Sequence, residues 1–209
     1  MKKEEISMSK EESKQILSMR PEEGLALWYE FLLNEIMLAR SPLEQPFYLM
    51  SPWINNFSLD LSKHRGVPEL GIKPGKFTLA SFCRAYVENG GNLRILVHFP
   101  LQSHKRGKPV WDTIEFLSGL YNHPSGRVEI RLHQRLHAKI YVGLGAVLSG
   151  SANATSGGLH YNSENLYYFS SEEEIKNHRE KVKRLWKDKE MLVSWDYAKQ
   201  LWRKGGGVE

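Results

Sequence analysis

The chain has 209 residues, 41% hydrophobic and 25% charged, with a formal net charge of +5. That is the composition of a folded globular protein, which excludes a disordered or collagen-like chain. The single cysteine, Cys83, excludes an intrachain disulfide framework and a Cys-rich metal site, and its neighbours Phe82 and Tyr86 mark it as a small core residue.

In chain order, residues 9–40 are predicted helical. Pro21 stands at a first helical position with Glu22 and Glu23 behind it, suiting the positive end of a helix dipole. Leu25, Trp28, Phe31, Leu32, Glu35 and Ile36 follow at helical spacing, all apolar but Glu35. Phe47-Tyr48-Leu49-Met50 reads as a buried strand, and 55–75 as a loop broken by Gly66, Pro68, Gly71, Pro74 and Gly75. Thr78 to Glu88 reads as a helix closed by Asn89-Gly90-Gly91, and Leu93 to Phe99 as the next strand. Strand, helix and strand in that order predict a parallel pair with a crossover. A basic loop at 101–109 leads to a helix from Val110 to Tyr121 and a strand from Val128 to Leu132. Three more strands are predicted at 136–142, 146–153 and 164–169. Ser171-Glu172-Glu173-Glu174 is a capping box that opens a charged C-terminal helical region. The class is α/β, a mixed sheet flanked by helices, divided into a helical segment at 1–45, a central domain at 46–170 and a helical segment at 171–209.

The chemistry concentrates at Leu136-His137-Ala138-Lys139, at Ser149-Gly150-Ser151-Ala152-Asn153 and at Glu164. Side chains on a strand alternate between faces. Across 136–142 this puts His137, Lys139 and Tyr141 opposite Leu136, Ala138, Ile140 and Val142. Ser151 and Asn153 share a face if their strand runs through Gly150, where the missing Cβ lets something approach the backbone closely. Glu164, Leu166 and Tyr168 share a face of the last strand. Three strands then aim His137, Lys139, Ser151, Asn153 and Glu164 at one point.

A neutral imidazole nitrogen can attack phosphorus and form a phosphohistidine. Lys139 can neutralise a phosphate oxygen, Ser151 and Asn153 can donate to it, and Glu164 can hold the far nitrogen of His137. The leaving oxygen needs a proton, so a second acid is required.

His137-x-Lys139 with Gly150-Ser151-x-Asn153 resembles the HKD motif of the phospholipase D superfamily. Glu164 falls where single-motif nucleases of that superfamily carry a glutamate. The resemblance is specific over 133–169 and extends over about 45–170. It implies a phospholipase D-like fold and a metal-independent phosphodiesterase or transphosphatidylase without cofactor. One histidine would be the nucleophile and the histidine of a second motif the acid. With one motif per chain, the resemblance implies a homodimer whose two His137 meet at a twofold axis, where they titrate as a coupled pair. One position departs from the pattern: the Asp usually found five residues after the Lys is Leu144 here. That Asp is largely structural in the family. The segments Ser51-Pro52-Trp53-Ile54, Leu136-His137-Ala138-Lys139 and Leu148-Ser149-Gly150-Ser151 also resemble phospholipase D-like proteins of bacterial DNA-modification and phage-defence loci.

Elsewhere the signals are weaker. Lys105, Arg106 and Lys108 in the basic loop are candidate phosphate-backbone contacts. The alternating charges from Arg179 to Lys189 read as a solvated helix face, and Trp186, Trp195 and Trp202 as packing residues. His133 and Arg135 fit either a cleft mouth or a solvated edge, and nothing in the spacing of His98 and His160 assigns them to the cleft. No His, Asp and Glu set has metal-ligand spacing.

The leading reading is therefore a nuclease, with DNA the more probable partner than RNA. A catalytically silent nucleic-acid-binding or assembly subunit is the alternative, supported only by Leu144. A lipid phosphodiesterase ranks lower, because a second motif and interfacial apolar segments are missing. No apolar run is long enough to span a bilayer and the N-terminus lacks the apolar core of a secretory signal, so a cytoplasmic location without membrane contact is expected.

Overall fold

The computed structural model describes residues 21–39, 45–60, 76–99, 108–121, 123–161 and 164–204. In chain order its elements are α1 (Pro21–Ala39), β1 (Phe47–Ser51), β2 (Ser58–Asp60), β3 (Lys76–Thr78), α2 (Leu79–Glu88), β4 (Leu93–His98), α3 (Lys108–Tyr121), β5 (Val128–His133), β6 (Ile140–Val142), β7 (Val147–Gly150), α4 (Ser156–His160), β8 (Leu166–Phe169), α5 (Glu172–Lys187), β9 (Leu192–Val193) and α6 (Trp195–Lys204).

Seven strands form one sheet in the order β8-β7-β6-β1-β4-β5-β9. β1, β4 and β5 are parallel, as the strand-helix-strand pattern predicts, while β6, β7 and β8 run antiparallel beyond β1. β1 is central and buried along its whole length. A strand covered on both faces reads as a continuous apolar run rather than an alternating one. Its side chains divide between two cores. Phe47 and Leu49 join Trp28, Phe31, Leu32, Phe82 and Tyr86 in the larger core, which α1, α2 and α3 cover. Tyr48 and Met50 join Leu96, Val142, Val147, Val182 and Trp186 in the smaller core, which α5 covers.

Local chemistry fixes the helix ends. Thr78 caps α2 by accepting from Ser81 N, and Gly90, at φ +100°, lets the chain turn out of the helix. Ser171 caps α5 by accepting from Glu174 N, with Glu172, Glu173 and Glu174 in its first turn, as predicted. Cys83 is fully buried and burial pushes its thiol pKa up, in keeping with a core residue.

The structure departs from the sequence expectation in several elements. The predicted loop at 55–75 contributes β2, which pairs with β3 in a small antiparallel sheet. The C-terminal region is not helical throughout, because Leu192 and Val193 pair with His133 and Leu132 as the edge strand β9. Arg179, expected on a solvated face, is 8% exposed and donates to Pro46 O at 2.8 Å and to Gly143 O. Trp186 and Trp195 pack into the cores as expected, with Trp195 stacked on Tyr121 at 5.5 Å. The side chain of Trp202 and residues 9–20 lie outside the described residues. No described helix is long and apolar enough to cross a membrane.

Candidate active site

Strand directions gather the candidate residues at one end of the sheet. β1, β4 and β5 finish there at Ser51, His98 and His133. β6 and β8 begin there, and β7 finishes there at Gly150. This carboxyl end of the parallel strands is where open α/β sheets place their ligand crevices.

His137 and Lys139 stand just before β6, not within it, which corrects the strand predicted over 136–142. Pro52 follows β1 and has no N–H to donate, so β6 loses its ladder partner beyond Met50↔Ile140. The alternation survives without the full ladder. Leu136, Ala138 and Ile140 still pack on the smaller core, Tyr141 on the larger one, and His137 is exposed. Lys139 Nζ donates to His137 O at 3.1 Å, so the two residues share a local bond. Partial burial pushes the Lys139 pKa down, and the charge of Glu164 opposes that shift.

β7 stops at Gly150, so Ser151 and Asn153 occupy a turn, not a strand face. Gly150 does admit a close backbone approach, but the visitor is the chain itself: a Cβ there would lie 1.9 Å from Asn165 O. Ser151 N donates to Asn165 O at 2.9 Å, and Asn165 N donates to Ser151 Oγ at 3.0 Å. Ser151 Oγ in turn donates to the carboxylate of Glu164. Glu164, expected to hold the far nitrogen of His137, is thus held by Ser151, two residues before β8 rather than within the strand predicted at 164–169. Asn153 is half-buried, with Oδ1 3.4 Å from Ser51 Oγ. Ser51 Oγ donates to Trp53 O at 2.8 Å and accepts from Ala154 N at 3.2 Å, tying β1 to the Ser151–Asn153 turn. Tyr141 OH adds a bond to Ala152 O at 2.9 Å.

Two further histidines belong to this end. His98 and His133 are register partners at the ends of β4 and β5. Burial pushes the His98 pKa down, a backbone contact with His133 opposes the shift, and the His133 and His137 rings reinforce it. His98 Nδ1 and His133 Nε2 are buried without a hydrogen-bond partner. His133 Nδ1 accepts from Arg135 N at 3.0 Å, and its Nε2 faces Asp188 at 3.7 Å. Each closes a strand, but their pairing depends on the register of β4 and β5, which carries no local sequence signal.

The position where the motif's Asp is missing lies at the other end of the sheet, in the β6–β7 turn. There a carboxylate arrives from α1. Glu35, fully buried, accepts from Leu144 N at 2.5 Å and Gly145 N at 3.0 Å. A Cβ on Gly143 would collide with that carboxylate at 2.1 Å. Burial raises the Glu35 pKa, while these bonds and the charge of Arg179 work against the rise. Lys105 and Arg106 lie outside the described residues, and of Lys108 only the backbone, the first residue of α3, is described. Among the described residues, no group of three or more His, Cys, Asp or Glu side chains could hold a metal ion.

NucT from Helicobacter pylori superposes on this chain with a TM-score of 0.51 and 17% identity, covering 88% of this chain and 100% of its own. The chain has a phospholipase D-like fold. Nuc from Salmonella typhimurium, a phospholipase D family member, is similar at 17% identity and TM-score 0.48 over 72% of this chain and 84% of its own. TrmBL2, an archaeal chromatin protein, is similar at 12% identity and TM-score 0.47 over 87% of this chain and 55% of its own. No family model and no curated protein sequence matches the chain.

Proposed function

We propose that the chain is a metal-independent phosphodiesterase, a nuclease acting through a phosphohistidine on His137. The observation that carries this reading is the meeting of His137 and Lys139 with the Ser151–Glu164 pair at the carboxyl end of the parallel strands. An exposed imidazole nitrogen attacks phosphorus, an N–P bond forms and the bond to the leaving oxygen breaks. Lys139, near the carboxylate of Glu164, neutralises a non-bridging oxygen, and the Asn153 amide donates to it. Water then attacks phosphorus, the N–P bond breaks and His137 is released.

The leaving oxygen needs a proton in the first step, and the attacking water must lose one in the second. We assign both transfers to His137 of a second copy, in a homodimer whose twofold axis passes through the site. His98 is the candidate within the same chain. Burial pushes its pKa down, which disfavours the imidazolium form that would have to give the proton. We read the Glu35 carboxylate at the turn of Leu144 as standing in for the missing Asp, which supports the active reading over the silent one.

The test is cleavage of labelled single- and double-stranded DNA, RNA and a phosphatidyl lipid, each with EDTA, by the wild-type protein and His137→Ala. EDTA-resistant cleavage of DNA that disappears in the variant is the expected result. Cleavage abolished by EDTA, or retained in the variant, overturns the phosphohistidine step. Full activity in a strictly monomeric protein overturns the paired site, and binding without cleavage in every buffer supports the silent binding subunit.

A further inference from the structure

Beside the site, an open groove of about 560 Å³ lies between α2, α3, residues 55–56 and the end of α4. Its size falls within the roughly 300–1,000 Å³ of small-molecule sites. Its wall is continuous with the candidate active site. Asn55 N donates to Ala154 O at 3.0 Å, and Ser156 lies three residues beyond Asn153. Three extended residues reach at most about 11 Å, so the groove begins within one or two nucleotide steps of that turn.

The lining has a definite chemistry. Phe116 and Leu120 give it a buried apolar floor. Asn55 Oδ1 accepts from Ser156 N at 3.0 Å, and Asn56 Oδ1 accepts from Ala80 N at 2.9 Å. A backbone N–H can only donate, so both amide oxygens are committed and the NH2 donors are the ends left for a ligand. Asp112 and Glu115 of α3 bring acceptors, and Arg84 of α2 brings further donors. Among the described residues no ion pair joins Arg84 to either acid. Tyr161, 81% exposed, stands at the rim.

The two acids disfavour a phosphate in this groove, and the apolar floor disfavours a simple ion. Donors and acceptors around a flat apolar slot suit the edge and face of an unpaired nucleobase, stacked on an aromatic ring. We propose that the groove holds one nucleobase flanking the scissile phosphate, stacked on Tyr161, with its edge read by Asn55, Asn56 and the α3 carboxylates. This rests on the phosphodiesterase reading for the nature of the chain that passes the site. A paired base must leave its stack to enter, so single strands bind more tightly than duplexes.

The test separates base from backbone. His137→Ala protein, which binds without cutting, is titrated with a fluorescent single-stranded DNA oligonucleotide and with an abasic chain of the same length and charge. The intact strand is expected to bind about tenfold more tightly, the scale of one base–aromatic stack. Adding Tyr161→Ala should erase the difference, while Tyr161→Phe keeps it. Asn56→Asp retains the acceptor for Ala80 N and removes the donors; its added charge weakens both chains, and it should weaken the intact strand more than the abasic one. Equal binding of the two chains, or a difference that survives Tyr161→Ala, overturns the subsite. Wild-type protein is assayed separately for hydrolysis of DNA and of the simple diester bis(4-nitrophenyl) phosphate. A wild-type protein that hydrolyses neither this diester nor DNA defeats the phosphodiesterase reading instead, and the two binding curves still decide the groove.

Discussion

The two ends of the sheet treat buried polar groups in opposite ways. At the β6–β7 turn a buried carboxylate and a buried guanidinium are both bonded to backbone. Glu35 accepts from Leu144 N and Gly145 N, and Arg179 donates to Pro46 O and Gly143 O. At the other end His98 Nδ1 and His133 Nε2 are buried without a hydrogen-bond partner, and His137 faces solvent. Tyr86 OH, beside Glu35, and Trp28 Nε1 in the core are also buried without a partner, so the contrast concerns the carboxylate, guanidinium and imidazole groups alone. One end ties its charged groups to backbone, and the other leaves two imidazole nitrogens unbonded.

Substitutions should therefore separate activity from stability. The largest expected effect is His137→Ala, which lowers DNA cleavage at least about a thousandfold, a barrier change of about 4 kcal/mol. Because the side chain is exposed, urea unfolding should shift by less than about 0.5 kcal/mol. A variant that loses activity because it unfolds would erase the contrast. Next is Glu35→Ala, which leaves Arg179 buried without its counter-charge and two turn N–H groups without an acceptor. It should lose about 3–5 kcal/mol in urea unfolding. A loss under 1 kcal/mol would mean that the turn does not depend on the carboxylate.

Gly150→Ala sits between the two behaviours, because its Cβ meets backbone at Asn165 and not a movable side chain. It should lose roughly 1–3 kcal/mol by overpacking. It should also lower cleavage by displacing Ser151 and Glu164; an unchanged rate would detach that pair from the chemistry. The smallest effect is the pH dependence of His98. Its folded pKa lies below the unfolded value of about 6.5, so the unfolded chain binds more protons as pH falls through that value. Stability is then fully present above the unfolded pKa and declines as pH falls toward the folded one. Melting between pH 7.5 and 5 should show this decline, and His98→Gln should flatten it. An equal slope in the variant would assign the pH dependence elsewhere.

What could be read from sequence followed the reach of each signal. Phe47-Tyr48-Leu49-Met50 and Thr78 to Glu88 were legible because run length and capping are local properties. The candidate site's residues stood out because His137-x-Lys139 and Ser151-x-Asn153 are each contiguous. Strand ends were not legible, since β6 begins only past the point where Pro52, after β1, offers no donor. Glu35 looked like an interruption of an apolar face because its partner turn is 109 residues away. His98 and His133 meet only through the register of β4 and β5, which no local pattern encodes. The two-residue strand β9 is too short to carry a periodic signal.

The Glu35 contact has a consequence for how the chain is made. Synthesis proceeds from the N-terminus, so α1 leaves the ribosome more than a hundred residues before the turn that completes it. Until Leu144 and Gly145 emerge, α1 carries an ionisable group on the face that the core must cover. The helix can meet β1 and α2 early, while the partners of Glu35 arrive only late. Such a long-range closing contact adds to the sequence separation that slows folding.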